Sequence, residues 1–359
     1  VTAPQPPQTP NQPTLQLVLE HAAEALALER AARGVAAPLR AKLKALTRTL
    51  SALWVRKVGR VDEPADPITL HDIATETRNR LADIRFTPAD ELTRYAEQAI
   101  DLGVRQAVDE LHLHATEGAV EHVLPATGRR AARFEWPAAD LDQATVDAIR
   151  AVDATVAGKL ADAETAVTRI AGNNFAELAT ALSPAQQAAT ATEATATWAT
   201  NKAVNDGVAA VADQLDAERL WVAERDACVH CLAYSGHVAR AGQGFPVGLT
   251  FGDKPLVPWP DPMFLPGCPL HPHCRCRITV WLGSVPGYTG PDLPAALRRE
   301  AERSILTGWR MASESQPARL RAASRLLARG TTLPKSVQAR ARTAVRRGRF
   351  NDFPRKARS

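Results

Sequence analysis

The sequence predicts a mainly α protein: a helical N-terminal region, then a small α+β module, then a basic helical tail. Three observations carry that prediction. Aromatic residues make up only 5% of a chain that is 45% hydrophobic, and alanine supplies much of the rest, a composition that favours helices over sheets. Apolar residues recur at helical spacing over long stretches. A Gly- and Pro-rich interval, 242–272, then breaks the pattern with eight prolines between Pro246 and Pro272, and no helix persists through such a run. With 359 residues the chain can form two or three domains and a sizeable core.

Residues 1–13 hold five prolines and few apolar side chains, the pattern of a disordered, partly polyproline-like tail. Residues 14–182 read as a helical domain. Leu39, Leu43, Leu46, Leu50 and Leu53 repeat at four-three-four-three spacing and form one stripe, expected to pack within the chain. Asp62–Asp66 reads as a connector. Thr69 or Thr87 then caps a further helix, with Pro88 suited to a first turn. The stretch 126–137 reads as a loop, and helices resume over about 138–180. Ser183-Pro184 opens another helix, expected to run to about residue 224 and to end around Trp221. On it Val204, Val208, Val211 and Leu215 hold one face.

Residues 183–290 form the module. Gly236–Ala241 and Arg275–Leu282 are its strand candidates; in the second, Cys274, Cys276, Ile278 and Val280 share a face because side chains alternate. Residues 291–359 carry 17 Arg/Lys against five Asp/Glu, although the whole chain has a net charge of only +5. This Arg-rich tail is a separate electrostatic object, able to attract phosphate backbones or an acidic protein surface. No run of 18 apolar residues marks a membrane span, and the first ten residues lack the charged and apolar regions of a signal peptide.

All five cysteines lie between Cys228 and Cys276, as Cys228-Val-His-Cys231 and Cys268-Pro-Leu-His271-Pro-His273-Cys274-Arg-Cys276. Thiolate and imidazole are the side chains that hold zinc best, and a Cys-x-x-Cys knuckle brings two thiolates to one ion. A module with so little apolar surface needs a staple. The reading is therefore a structural zinc site built from Cys228, Cys231, His271, and one or both of Cys274 and Cys276. His237 and His273 are alternates, His230 is a surface residue inside the knuckle, and Cys268 is a small buried side chain. A catalytic zinc would need a nearby acid or base. No Glu lies between Glu224 and Glu300, His-Glu-x-x-His is absent, and Asp226 reads as a cap or turn residue.

The order Trp221, Asp226, Cys228-x-x-Cys231, Gly236-His-Val238 and His271-Pro-His-Cys274-Arg275-Cys276 resembles the phage Mu F-like head-morphogenesis family. Thr192-Glu193 and Asn201 resemble its helical lead-in, with Ala191 where the family often has Arg. The resemblance covers about residues 185–282. It implies a minor head protein that assembles with the portal and with major capsid or scaffold protein, located inside the virion head after assembly in the host cytoplasm. On that reading the chain is not an enzyme. The N-terminal helices contact portal or capsid, the zinc knob fixes a docking surface, and the 291–359 tail touches packaged DNA non-specifically. The competing reading is a nucleic-acid-acting enzyme, a nuclease or toxin carried on such a protein. The tail has no His and only Asp292, Glu300, Glu302, Glu314 and Asp352 as acids, which is poor material for general acid–base work.

Overall fold

In the computed structural model, residues 12–116, 139–170, 172–240, 242–254, 265–271, 274–283, 292–311 and 314–350 are described. Eleven α-helices and three strands occur among them: α1 (Gln12–Arg33), α2 (Ala37–Val58), α3 (Pro67–Ala82), α4 (Ala89–Thr116), α5 (Gln143–Thr168), α6 (Phe175–Ala181), α7 (Ser183–Gln214), β1 (Glu218–Val222), α8 (Val229–Tyr234), β2 (Val238–Ala239), β3 (Arg277–Trp281), α9 (Leu293–Thr307), α10 (Gln316–Arg329) and α11 (Lys335–Arg347). The protein is mainly α, as the composition requires. The expected loop at 126–137 and residues 1–11 of the Pro-rich tail expected at 1–13 lie outside the described residues; Gln12 and Pro13, expected in that tail, instead open α1. The chain forms two compact units, one of residues 1–26, 100–139 and 204–359, the other of 27–99 and 140–203.

The second unit is helical. Leu39, Leu43, Leu46, Leu50 and Leu53 are all buried on α2, together with Trp54, whose ring meets Phe175 edge-on at 5.7 Å. The cap of α3 is Asp66, which accepts from the Ile68 and Thr69 amides at 3.0 Å. Thr69 therefore sits in the first turn and is not the cap. A carboxylate ahead of Pro67 satisfies orphan amides better than a hydroxyl three residues later. Asp142 and Asn174 cap α5 and α6 in the same way.

The first unit is built on a three-stranded antiparallel sheet in the order β2-β1-β3. Here the expectation of a helix to about residue 224 fails. The helix α7 stops at Gln214, Asp216 turns the chain with φ +50°, and the Ala217 amide closes back on Ala212 O at 2.8 Å. Asp tolerates this left-handed stop. Residues 218–222 then run as the central strand, with Leu220 opposite Val238 on one side and Thr279 on the other. The outer edge of β3 is finished by a side chain of α7: Asn205 accepts from Ile278 N at 2.6 Å and donates to Cys276 O at 3.2 Å. This amide satisfies two backbone groups at the start of that edge. Close approach of α7 to α4 depends on glycine, since a Cβ on Gly103 would stand 2.0 Å from Val204 O.

Alternation along β3 gives the sheet two different faces. Cys274, Cys276, Ile278 and Val280, with Trp221 of β1, enter a core that also holds Ile305, Leu306, Ala322, Leu326 and Ala341. Residues 292–350 are thus not a tail set apart; α9, α10 and α11 are packed into the same unit as the cysteines. On the other face Arg277 and Thr279 meet Glu110 of α4, which His21 of α1 also contacts at 2.9 Å.

Candidate metal centre

The knuckle is positioned by a short helix. Cys228 is the N-cap of α8, and its sulfur accepts from the Cys231 amide at 3.5 Å. The Val229 amide donates to Glu314 Oε1 at 2.9 Å. Glu314 is paired with Arg319, which also donates to Ala227 O at 2.6 Å. This fully buried Arg319 clamps the backbone on both sides of Cys228 from α10. The opposing candidate residues, His271 and Cys274, come from the segment leading into β3. There the Cys274 amide bonds His271 O at 2.8 Å and fixes a tight turn. Asp226 stands in a turn, as expected, but caps no helix; it pairs with Arg275 at 2.5 Å and so joins the two halves as a strut.

The sequence-predicted residues come together. His271 Nε2 lies 3.4 Å from Cys228 Sγ and 3.2 Å from Cys231 Sγ, and Cys231 Sγ lies 3.6 Å from Cys274 Sγ. Two three-residue groups able to hold a metal ion result, Cys228–Cys231–His271 and Cys231–Cys274–Cys276, with Cys231 common to both. Cys268 is buried in the core, as expected, beside Cys274 and Cys276, and joins neither group. His230 is half-buried and turned to Thr250 Oγ1 at 2.8 Å. His237 is held by main-chain bonds to Trp221 and Tyr234 and joins neither group. His273 and Pro272 lie outside the described residues.

Electrostatics favour thiolates at two positions. The Cys231 thiol hydrogen bond, then His271 and the Cys231 amide, bring Cys228 down to about 4 against the cost of burial. Burial also opposes ionisation of Cys274, yet hydrogen bonds from Cys231, Cys268 and Cys276 hold it well below the ordinary thiol value. Burial lowers His271, but the Cys228 bond and the Cys274 charge outweigh it and raise the imidazole. Burial pushes Cys276 up to about 11. The arrangement therefore favours ionisation at Cys228 and Cys274, with further thiols and an imidazole as partners whose protons are released when a cation binds.

Sequence reasoning missed the groups that hold the centre: Asn205, Glu314, Arg319 and Ser304, whose hydroxyl bonds Arg225 O. None has a local motif. Gly236, singled out in sequence, has φ +79°, and a Cβ there would stand 2.2 Å from Pro294 O. Trp221 is fully buried between Tyr234 and Phe245, with centroids 4.8 and 5.1 Å away. Among the described residues no helix is long and apolar enough to cross a membrane. No protein family, curated protein or solved structure matches the chain.

Proposed function

We propose that the centre binds a structural zinc ion through Cys228, Cys231, His271 and Cys274, with Cys276 as the adjoining alternate. One observation carries this reading. Around a tetrahedral zinc, sulfur–sulfur edges are about 3.8 Å and sulfur–nitrogen edges about 3.5 Å, from bond lengths of about 2.3 and 2.0 Å. His271 lies 3.4 and 3.2 Å from Cys228 and Cys231, near the sulfur–nitrogen edge, and Cys274 lies 3.6 Å from Cys231, near the sulfur–sulfur edge, without any bond drawing the atoms together. Cys274 stands outside the Cys228–Cys231–His271 group and would close on the ion to complete the tetrahedron. Soft thiolates with one imidazole suit zinc over the harder divalent cations, and the burial of Cys231, Cys274 and Cys276 suits a closed site. Zinc would tie the start of α8 to the approach to β3, across the Gly- and Pro-rich interval of the sequence. In small modules such a staple contributes apparent folding free energy of about 10–16 kcal/mol.

The module fits a non-enzymatic assembly protein of a phage head, one that docks on portal, major capsid or scaffold protein. The motif residues that suggest this are occupied with architecture: Trp221 fills the core, Asp226 pairs with Arg275, and Gly236 permits a close turn. The test has two parts. Elemental analysis of the purified full-length chain should find about one zinc, lost in Cys228→Ser and retained in Cys268→Ser; a folded, metal-free protein would defeat the zinc assignment. Co-expression with the portal and procapsid proteins of the same virus should bring this chain down with them. A chain that stays free, or one that cleaves nucleic acid until a single acidic residue is replaced, would defeat the assembly role.

A further inference from the structure

We infer that the outer face of α11 is a docking surface for the phosphate backbone of duplex DNA. The inference concerns a different part of the first unit from the sulfur cluster and stands whether or not that cluster holds zinc. The helix buries Val337, Ala341 and Ala344. Lys335, Arg342 and Arg346, spaced by seven and four, fall on the opposite side and form one exposed stripe. Arg340 and Arg347, also seven apart, flank it, and exposed Arg349 follows the Gly348 cap.

What distinguishes this stripe is the absence of opposing charge. No Asp or Glu occurs between Ser315 and Asn351. The arginines of α10 are largely spent within the fold, Arg319 on Glu314 and Arg321 and Arg325 on Asp253. Among the described residues no carboxylate pairs with the α11 cations; Arg342 donates to the neutral Gln338 at 3.2 Å. The share of the basic excess carried by α11 is thus left without an opposing carboxylate among the described residues.

Two features select the partner. A protein–protein contact needs a buried apolar centre, yet the exposed large apolar side chains among the described residues are Val55, Val61 and Ile68, none of them here. Single strands are gripped by aromatic platforms, and the only aromatic residue from 316 to 350 is the buried Phe350. On the Lys335–Arg342–Arg346 stripe, away from the apolar cavity that Arg340 and Arg347 border, charge remains, which is what backbone contact requires. The thirteen residues of α11 rise about 20 Å, a length over which duplex DNA presents roughly a dozen charges. Guanidinium forks match phosphate oxygens in pairs.

The experiment is fluorescence anisotropy of the full-length protein with a labelled mixed-sequence duplex across a salt series. Three to four phosphates neutralised give a slope of log K on log salt of about −3. The variant Arg342→Glu/Arg346→Glu should bind at least about tenfold more weakly at low salt, with the slope reduced by about 2. The charge-matched variant Arg48→Glu/Arg78→Glu, on exposed positions of α2 and α3, should bind as the parent does. Circular dichroism and a thermal melt check that each variant is folded. Unchanged affinity in the α11 variant, equal loss in the control, tighter binding of the single strand, or tighter binding of polyglutamate than of the duplex would each overturn the proposal.

Discussion

Replacing Arg319 with Met should destabilise the first unit by about 3–5 kcal/mol. Arg319 has no solvent exposure, and the Glu314 side chain has 8%. Burial pushes the Glu314 carboxyl up and the Arg319 guanidinium down, so the pair is held against a desolvation cost on both sides. Removing the guanidinium alone strands a buried carboxylate, which typically costs about 3–5 kcal/mol. It also leaves Ala227 O without its 2.6 Å donor, worth about 1 kcal/mol if no water replaces it. Met fills most of the vacated volume, so packing contributes little. In Arg319→Met/Glu314→Gln the stranded charge is gone, and the Gln carbonyl oxygen can still accept from Val229 N. That double variant should regain at least about 2 kcal/mol, a coupling of the size expected for residues in one network. The assay is urea unfolding of the full-length protein under fixed metal conditions, followed by tryptophan fluorescence. A loss below about 1 kcal/mol in Arg319→Met, or a double variant no more stable than the single, would show that the clamp does not hold the knuckle.

Asn205→Leu should cost about 2–3 kcal/mol, because both Ile278 N and Cys276 O lose their buried partner; hydrogen exchange of the Ile278 amide should accelerate, and unchanged protection would argue that the edge is satisfied otherwise. Glu110 carries a pH dependence. Burial alone would raise its carboxyl, but the charge of Arg277 and bonds from His21 and Thr279 hold it below the ordinary 4.5. Its folded-state value is depressed, so its contribution to stability is present above about pH 4.5 and is lost as pH falls through the lower folded value. Unfolding free energies of the parent and of Glu110→Gln should therefore converge on acidification below about pH 4.5; a gap constant with pH would contradict the assignment.

Local pattern and long-range geometry divided the molecule unevenly. The leucine stripe of α2 was legible because five residues on one helical face have a single way to be buried together. The convergence of the candidate metal-binding residues was legible for a similar reason: Cys-x-x-Cys fixes two sulfurs by backbone geometry, and His271 and Cys274 are close in the chain, with the Cys274 amide bonded to His271 O. Strand β1 was not. Leu220-Trp221-Val222 continues the apolar content of α7, and the stop at Asp216 has no glycine to announce it. Pairing with β2 and β3 made it a strand, and those partners lie 18 to 63 residues away along the chain.

The sequence by itself determined the helical class, the leucine-bearing face of α2 and the residue types of the sulfur cluster, because each depends on propensity or on side chains close in the chain. Tertiary structure decided that β1 is the central strand and that α9–α11 belong to the cysteine-bearing unit. It also decided that Cys268 lies against Cys274 and Cys276, and that Arg319 and Glu314 grip the backbone around Cys228. Those outcomes rest on buried charges and backbone groups finding partners far along the chain. Burial makes such pairing obligatory, but only the folded arrangement determines which partner lies within reach.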